Sequence, residues 1–255
     1  MIVKLQGGLG NQIFEVLFGL SVAYKRQEEV FFDKSSFDTD PLRHYELDAY
    51  DLNIQFHEGH HRGPVFREGD IVFNPGVYAV QPNTYFEGYW QVESYFEPEL
   101  AYNLFRIPKG YPNGNCLAIA RRIQGAKDTC FIGVRRADYQ WPERINLHGV
   151  MPMDYYRKAM EMFPLRTKFF IFTDDPEWCR ENFRDEIVEV NGPDEKHWDI
   201  WLGSLCQNAI IPNSTFSWWQ AWLGADRRGG KVIAPEKWFA NGMPNEIVPE
   251  RWTKL

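Results

Sequence analysis

The chain has 255 residues, enough for one large domain or two smaller ones, and its 44% hydrophobic and 25% charged residues are typical of a globular protein. The net charge of -7 argues against a general nucleic-acid-binding protein, which would carry a basic surface. Because the four cysteines (Cys116, Cys130, Cys179 and Cys206) lack zinc-site spacing, we predict buried, reduced thiols. The sequence shows no secretory signal or membrane-spanning pattern, so we expect a cytoplasmic protein.

The N-terminal segment has the pattern of a strand-helix-strand unit. Apolar alternation predicts a strand over residues 2–5, a glycine turn follows, and 3.6-residue apolar spacing predicts a helix over about 11–26. A second strand is predicted over 29–33, which implies a parallel sheet. Residues 35–82 carry scattered glycines and charged residues without regular spacing. This pattern predicts loops and a substrate-facing insertion.

A second alternating series occupies the C-terminal half. Helices are predicted over 117–123, 153–163, 177–182, 196–206 and 214–223, and strands over 129–135, 168–173, 186–190, 208–212 and 231–234. Proline and glycine cluster between residues 106 and 115. We therefore predict an α/β protein with two lobes, residues 1–110 and 111–255.

The glycine turn reads GGLGNQIF over residues 7–14. Glycines after a strand and before a helix let a ligand approach the backbone amides at the helix N-terminus. The sequence is neither GxGxxG nor a Walker motif. A tight turn needed only for packing is therefore an equal alternative.

Two arginines, Arg135 and Arg136, end the predicted strand in CFIGVRRADY. The carboxyl ends of strands are where open α/β sheets bind ligands, and a guanidinium group matches phosphate geometry. Neighbouring strand residues face opposite sides, so we expect one arginine to hold a ligand and the other to pair with a structural carboxylate. A salt bridge at a strand end is the alternative.

Three further groups suggest a metal site. Asp174 and Asp175 follow a buried strand, an Asp-Thr-Asp triplet occupies residues 38–40, and histidines stand at 57, 60 and 61. We prefer a helix cap for the first pair, a polar loop for the triplet, and solvated side chains for the histidines. No metal is expected.

The segment IIPNSTFSWWQAWLG leads from a short strand into a helix. Asn213, Ser214 and Thr215 are good capping residues and predict an anion-receiving helix N-terminus. Upstream, Asp199 lies on an aromatic-rich helix, where its carboxylate would accept hydrogen bonds from a guanine base, or else is simply exposed.

Taken in order along the chain, these segments resemble the bacterial-type alpha-1,2-fucosyltransferases. The resemblance is carried by GGLGNQIF, YFEGYWQVESYF, VRRADY, FFIFTDDPEW, LGSLCQNAIIPNSTFSWWQAWLG and KVIAPEKWF. It implies two Rossmann-like lobes of the GT-B type, GDP-L-fucose as the donor, inversion at the anomeric carbon, and no metal or other cofactor. The implied acceptor is a galactose-containing oligosaccharide or a lipid-linked acceptor, with peripheral membrane contact and no nucleic acid.

The resemblance also implies roles for particular residues. Arg135 would hold the donor β-phosphate, and Asp199 would contact guanine. Gly10 and Asn11 would reach the fucose and the diphosphate. Residues lining the diphosphate and nucleoside pocket would be Asn213, Ser214, Thr215 and Phe216.

The general base has three candidates in one loop: Asp138 first, then Glu143 and His148. Asp138 is alternatively the structural partner of Arg136. The chain departs from the family pattern His-x-Arg-Arg-Gly-Asp, because Gly133 occupies the first position and Ala137 the fifth. The departure leaves open a sugar-nucleotide-binding or glycan-binding module with altered catalysis, or a transferase with another donor.

Overall fold

The computed structural model describes residues 1–184, 186–189 and 195–255, with only the backbone course for 186–189. The strands are β1 Ile2–Lys4, β2 Phe31–Asp33, β3 Gln55–Phe56, β4 Val65–Arg67, β5 Tyr85–Glu87, β6 Thr129–Val134, β7 Lys168–Thr173, β8 Glu186–Glu189, β9 Asn208–Ile210, β10 Val232–Ala234 and β11 Thr253–Lys254. The helices are α1 Leu9–Arg26, α2 Pro98–Phe105, α3 Gly114–Gly125, α4 Pro142–Ile145, α5 Met153–Glu161, α6 Pro176–Asn182, α7 Lys196–Ser204 and α8 Thr215–Leu223.

The chain divides into two compact units, which we call unit 1 (residues 1–109 and 244–249) and unit 2 (residues 110–243 and 250–255). Unit 1 contains a sheet in the order β3-β2-β1-β5-β4, and unit 2 a sheet in the order β11-β10-β9-β6-β7-β8. The paired strands in both sheets run parallel. The predicted α/β class, with two parallel sheets, is confirmed.

Each sheet has one point where the strand order reverses direction. Numbered from its first strand, the sheet of unit 2 has the order 6-5-4-1-2-3, which is the Rossmann order read from the other edge, and it reverses between β6 and β9. The sheet of unit 1 reverses between β1 and β5. Because open α/β sheets bind ligands beyond the strand ends at such reversals, the loops after these four strands are where a site is expected.

Helix α1 packs closely on the sheet of unit 1. A Cβ atom on Gly19 would lie 2.7 Å from the ring of Phe32, so only glycine allows this approach. The ring of Phe18, also on α1, stacks on Trp90 with centroids 4.1 Å apart. Trp90 is fully buried and has φ of +53°, a left-handed conformation that is costly for a bulky residue. Packing therefore fixes the turn after β5.

Several sequence expectations need correction. Residues 35–82 were expected to be loops, but β3 and β4 lie there and extend the sheet, because strands of two or three residues are too short to show alternation. Helix α1 begins at Leu9 rather than at residue 11. The cysteine prediction is confirmed, since all four are buried thiols. In the part of the chain that the structure describes, no helix is long and apolar enough to cross a bilayer.

Candidate functional site

Arg135 leaves the end of β6 at the strand-order reversal of unit 2, between two carboxylates. Its Nη2 atom donates to Asp138, and its Nη1 atom lies 2.7 Å from Oδ2 of Asp174. The guanidinium carbon also lies 5.3 Å from the centroid of the Tyr139 ring. A phosphate that bound Arg135 would therefore have to compete with a carboxylate that is already in place.

Arg136 is held against α6 instead. Its Nε atom donates to Oδ2 of Asp175 at 3.0 Å, and its guanidinium lies 4.1 Å from the centroid of Trp178. The expected division into a ligand-facing and a structural arginine is therefore incomplete, because both arginines have carboxylate partners. Asp175 also caps α6 by accepting from the backbone N–H of Trp178, as predicted.

Asp138 does not pair with Arg136, so that alternative is wrong. A short 3₁₀ turn over Asp138–Gln140 directs its buried carboxylate back toward the strand end, where it accepts from Arg135 and from Arg144. Both of its oxygens are thus engaged by guanidinium groups. Glu143, one of the other two base candidates, lies exposed on α4.

His148 closes the same loop. Its ring stacks on Tyr139 with centroids 4.5 Å apart and planes 12° apart. Its backbone carbonyl accepts from Nδ2 of Asn213 at 2.6 Å, and the carbonyl of Trp238 accepts from the same nitrogen at 3.0 Å. Buried Asn213 therefore fastens the loop to the segment after β9, a structural role that the sequence did not reveal.

The start of α8 follows β9 at the same reversal. Ser214 is the N-cap residue, but its side chain makes no capping hydrogen bond, so the expected hydroxyl cap is wrong at this position. Thr215 and Phe216 are half-buried in the first turn. Arg135 and this helix start therefore follow the two strands, β6 and β9, that flank the reversal.

The position of Gly133 explains the departure from the family pattern. Gly133 lies in β6, and a Cβ atom there would be 2.4 Å from Oγ of Ser217 and 2.8 Å from Cδ of Pro212. The space that a side chain would need is filled by α8 and the segment before it. A histidine at this position would require α8 to move away from the sheet.

Asp199 lies on α7 and is fully buried, so the alternative of a simply exposed carboxylate is wrong. Its backbone carbonyl accepts from Nε2 of buried Gln220 on α8 at 2.9 Å. A Cβ atom on Gly203 would meet the same amide at 2.6 Å, so α7 and α8 pack closely. Contact between Asp199 and a guanine base stays a prediction.

The glycine loop lies at the strand-order reversal of unit 1. Gly7 has φ of +72°, and a Cβ atom there would be 2.4 Å from Nδ2 of Asn11. Gly10 is buried within α1. Gln12, which the sequence analysis did not single out, donates to the carbonyls of Gly7 and His44 and accepts from the backbone of residue 46. Gln12 therefore fixes the loop, and Asn11 beside it stays half-exposed.

The turn after β5 meets this loop. Nε2 of buried Gln91 donates to Oδ1 of Asn11 at 2.9 Å. Glu68, which follows β4, accepts through Oε2 from the backbone N–H groups of Tyr89 at 2.6 Å and Trp90 at 3.0 Å. Burial raises the pKa of the Glu68 carboxyl, although these two N–H groups oppose the shift. Sequence reasoning missed both residues: Gln91 lies within the motif YFEGYWQVESYF, whereas Glu68 lies outside every motif that was singled out.

A second buried carboxyl lies beneath the glycine loop. Glu15 on α1 is fully buried, and its Oε2 atom accepts from the backbone N–H of Gln6 at 2.9 Å. Burial raises the pKa of Glu15 well above its ordinary value of 4.5, and the nearby negative charge of Glu68 adds to the shift. The burial of this carboxyl therefore disfavours its charged form.

Among the described residues, no group of three or more His, Cys, Asp or Glu side chains could hold a metal ion. Asp40 accepts from two backbone N–H groups of its own turn, which fits the expected polar loop. His60 is exposed, as expected, whereas His57 and His61 are half-buried. The ring of His61 stacks on Tyr85 with centroids 5.4 Å apart.

The fold is that of an α/β protein with two parallel sheets, each with a strand-order reversal. Residues 73–253 match the profile of Glycosyl transferase family 11, and the chain belongs to that family. The predicted resemblance to a fucosyltransferase-type family is thereby confirmed.

Two curated relatives from Escherichia coli align over nearly their whole length. The O-antigen biosynthesis glycosyltransferase WbnK is 28% identical over 300 residues, covering 98% of this chain and 99% of the relative. An alpha-1,2-colitosyltransferase is 26% identical over 291 residues, covering 100% of this chain and 98% of the relative.

The fold resembles that of solved fucosyltransferase structures. NodZ alpha-1,6-fucosyltransferase soaked with GDP-fucose has a TM-score of 0.55 at 15% identity, covering 94% of this chain and 96% of that chain. The NodZ enzyme from Bradyrhizobium has a TM-score of 0.52 at 14% identity, covering 88% and 92% of the two chains. At these identities the likeness concerns the fold alone.

Proposed function

We propose that this family 11 glycosyltransferase is an inverting galactoside alpha-1,2-fucosyltransferase, which moves L-fucose from GDP-L-fucose to the 2-hydroxyl of a galactoside. In this proposal residues 1–110 and 111–255 are the lobes of a GT-B-type enzyme, the first on the acceptor side and the second binding the donor. One observation carries the proposal. Arg135 follows β6 and the start of α8 follows β9, and these two strands flank the strand-order reversal of unit 2. Open α/β sheets bind nucleotides at that position.

The donor contacts follow from this placement. Arg135 binds the β-phosphate, which replaces one of the carboxylates now paired with the guanidinium. Residues that line the diphosphate and nucleoside are Asn213, Ser214, Thr215 and Phe216. Asp199 contacts guanine, which requires a side-chain or helix rearrangement because its carboxylate is buried.

The proposed chemistry is a direct displacement. The acceptor hydroxyl oxygen attacks the anomeric carbon of fucose, the bond from that carbon to the phosphate oxygen breaks, and GDP leaves with the bonding electron pair. Negative charge grows on the leaving diphosphate, so Arg135 and the N–H groups at the start of α8 stabilise the transition state more than the ground state. Gly10 and Asn11 of unit 1 contact the fucose and diphosphate.

The acceptor proton goes to one of three groups in the loop after β6. Asp138 is the first candidate by its place in the motif, but both of its oxygens are engaged by Arg135 and Arg144. We therefore propose that Asp138 also holds Arg135 in position. Turnover of Asp138→Asn, Glu143→Gln and His148→Ala tests this ranking: if Asp138→Asn keeps most of its activity while Glu143→Gln or His148→Ala loses it, Asp138 is not the base.

The acceptor proposed is a galactose-containing oligosaccharide, free or lipid-linked. One relative is named an O-antigen biosynthesis glycosyltransferase, which supports a bacterial surface polysaccharide as the product class. A lipid-linked acceptor would bring the protein into peripheral contact with a membrane.

A second donor is suggested by the relative named an alpha-1,2-colitosyltransferase. The decisive experiment supplies the full chain with a galactoside acceptor and either GDP-fucose or nucleotide-activated colitose, in the presence of EDTA. We expect GDP release and a fucosylated product. A colitosylated product alone would change the donor, binding without turnover would indicate a module with altered catalysis, and activity restored only by a divalent ion would contradict the metal-free mechanism.

A further inference from the structure

We infer that Gln91 is a positioning residue that turns the Asn11 side-chain amide so that its Nδ2 atom donates to an oxygen of the bound nucleotide sugar. This inference rests on the proposed function, because it deepens the role proposed for Asn11. It concerns two loops of unit 1, one after β1 and one after β5.

The orientation of Asn11 is set from two sides. Gln91 donates from Nε2 to Oδ1 of Asn11 at 2.9 Å, which makes the oxygen the acceptor of this pair. The nitrogen end of the same amide lies over Gly7, where a Cβ atom would be only 2.4 Å away. Reversing the Asn11 amide alone would place two N–H₂ groups against each other, so the donor group of Gln91 opposes that orientation.

Gln91 is itself held by the turn that precedes it. One carboxylate oxygen of Glu68 binds the backbone N–H groups of Tyr89 and Trp90, and buried Trp90 adopts φ of +53°. A Cβ atom on Gly88 would lie 2.4 Å from Cβ of Glu68, so the turn also needs glycine there. A strained turn fixed at several points delivers the buried Gln91 amide to Asn11 with little freedom.

The consequence is chemical. An amide nitrogen offered at the strand-order reversal favours ligand atoms that accept hydrogen bonds, such as phosphate and sugar oxygens. The neighbouring amide, that of Gln12, binds the backbone instead. Its nitrogen donates to two backbone carbonyls, and its oxygen accepts from a backbone N–H group.

A mutant cycle tests the functional coupling. We expect Asn11→Ala and Gln91→Ala each to lower kcat/KM by roughly tenfold, as for loss of one hydrogen bond, and the double variant to stay within about twofold of Asn11→Ala. Asn11→Asp should be as impaired as Asn11→Ala, because a carboxylate still accepts from Gln91 but cannot donate to the ligand. Effects that multiply in the double variant, or full activity of Asn11→Asp, would overturn the inference.

A measurement independent of activity separates this inference from the proposed function. The side-chain amide signals of Asn11 in a ¹⁵N-labelled chain are assigned by their absence in Asn11→Ala, and they should shift in Gln91→Ala. Gln6→Ala is the matched control, since Gln6 binds the same turn at the carbonyl of Gly88 without touching Asn11, and it should leave those signals in place. Unchanged Asn11 signals in Gln91→Ala would refute the positioning role even if sugar transfer is confirmed. Shifted signals with no transfer of any sugar would refute only the function.

Discussion

The two strand-order reversals of this protein use different chemistry. In unit 2 the loop after β6 is built from ion pairs, with Arg135 between Asp138 and Asp174. In unit 1 the loops after β1 and β5 are joined by neutral amides, with Gln91 donating to Asn11 above a buried Glu15. The two sheets therefore present different groups where their strand order reverses, fixed charges in unit 2 and neutral amides in unit 1.

The largest expected effect concerns the ion-paired loop after β6 in unit 2. Arg135→Ala should lower kcat/KM by a factor that corresponds to a loss of about 2–4 kcal/mol in transition-state stabilisation, because one donor to the developing charge on the diphosphate is lost. Steady-state kinetics measures the effect. Arg166→Ala is the control. Arg166 is an exposed arginine that pairs with Asp128, and the two residues precede β7 and β6, at the other end of these strands from Arg135. Equal activity of both variants would show that Arg135 does not bind the leaving group.

The next effect tests the packing behind the ion-paired loop. Gly133→Ala should lower the free energy of unfolding by about 1–3 kcal/mol, because the new methyl group would overlap Ser217 and Pro212. Adding Ser217→Ala should restore part of the loss by removing the nearest atom. Urea unfolding measures both, with Gly125→Ala as the control because nothing lies near its added Cβ atom. Equal stability of the Gly133 and Gly125 variants would contradict the close approach of α8.

In the glycine loop of unit 1, substitution of one amide should affect stability and substitution of its neighbour should affect activity. Gln12→Ala should lower the free energy of unfolding by about 1–3 kcal/mol, because the carbonyls of Gly7 and His44 lose their donor. Asn11→Ala, in contrast, should change kcat/KM with little change in stability. Thermal or urea unfolding of the two variants checks this division, and a greater loss of stability in Asn11→Ala would reverse it.

The smallest effect is a pH dependence from Glu15. Burial raises the folded-state pKa above the unfolded value near 4.5, so folding favours the protonated form. The stabilising contribution is complete below pH 4.5 and is lost as the pH rises through the folded-state pKa. Glu15→Gln should therefore be more stable than the original chain at pH 8, with a smaller difference at pH 5. An equal urea midpoint difference at both values would show that Glu15 does not bind a proton on folding.

The predicted parallel α/β class followed from the alternation of strands and helices, and the glycine loop and the Arg135 strand end were visible as motifs. Three-residue strands such as β4 carried too little pattern to be recognised, so residues 35–82 were assigned to loops. Ion-pair partners were also beyond the sequence. Asp138 could be assigned to Arg136 as readily as to Arg135 until the turn after β6 was known.

The sequence by itself determined which chemical groups stand at the ends of the strands, because local periodicity and glycine placement depend on neighbouring residues along the chain. Tertiary structure alone decided which of these groups meet. Gln91 and Asn11 are 80 positions apart, and their hydrogen bond exists because the sheet order places β5 beside β1. Long-range pairing of strands, which no local pattern encodes, selected the partners and therefore the orientation of the amide.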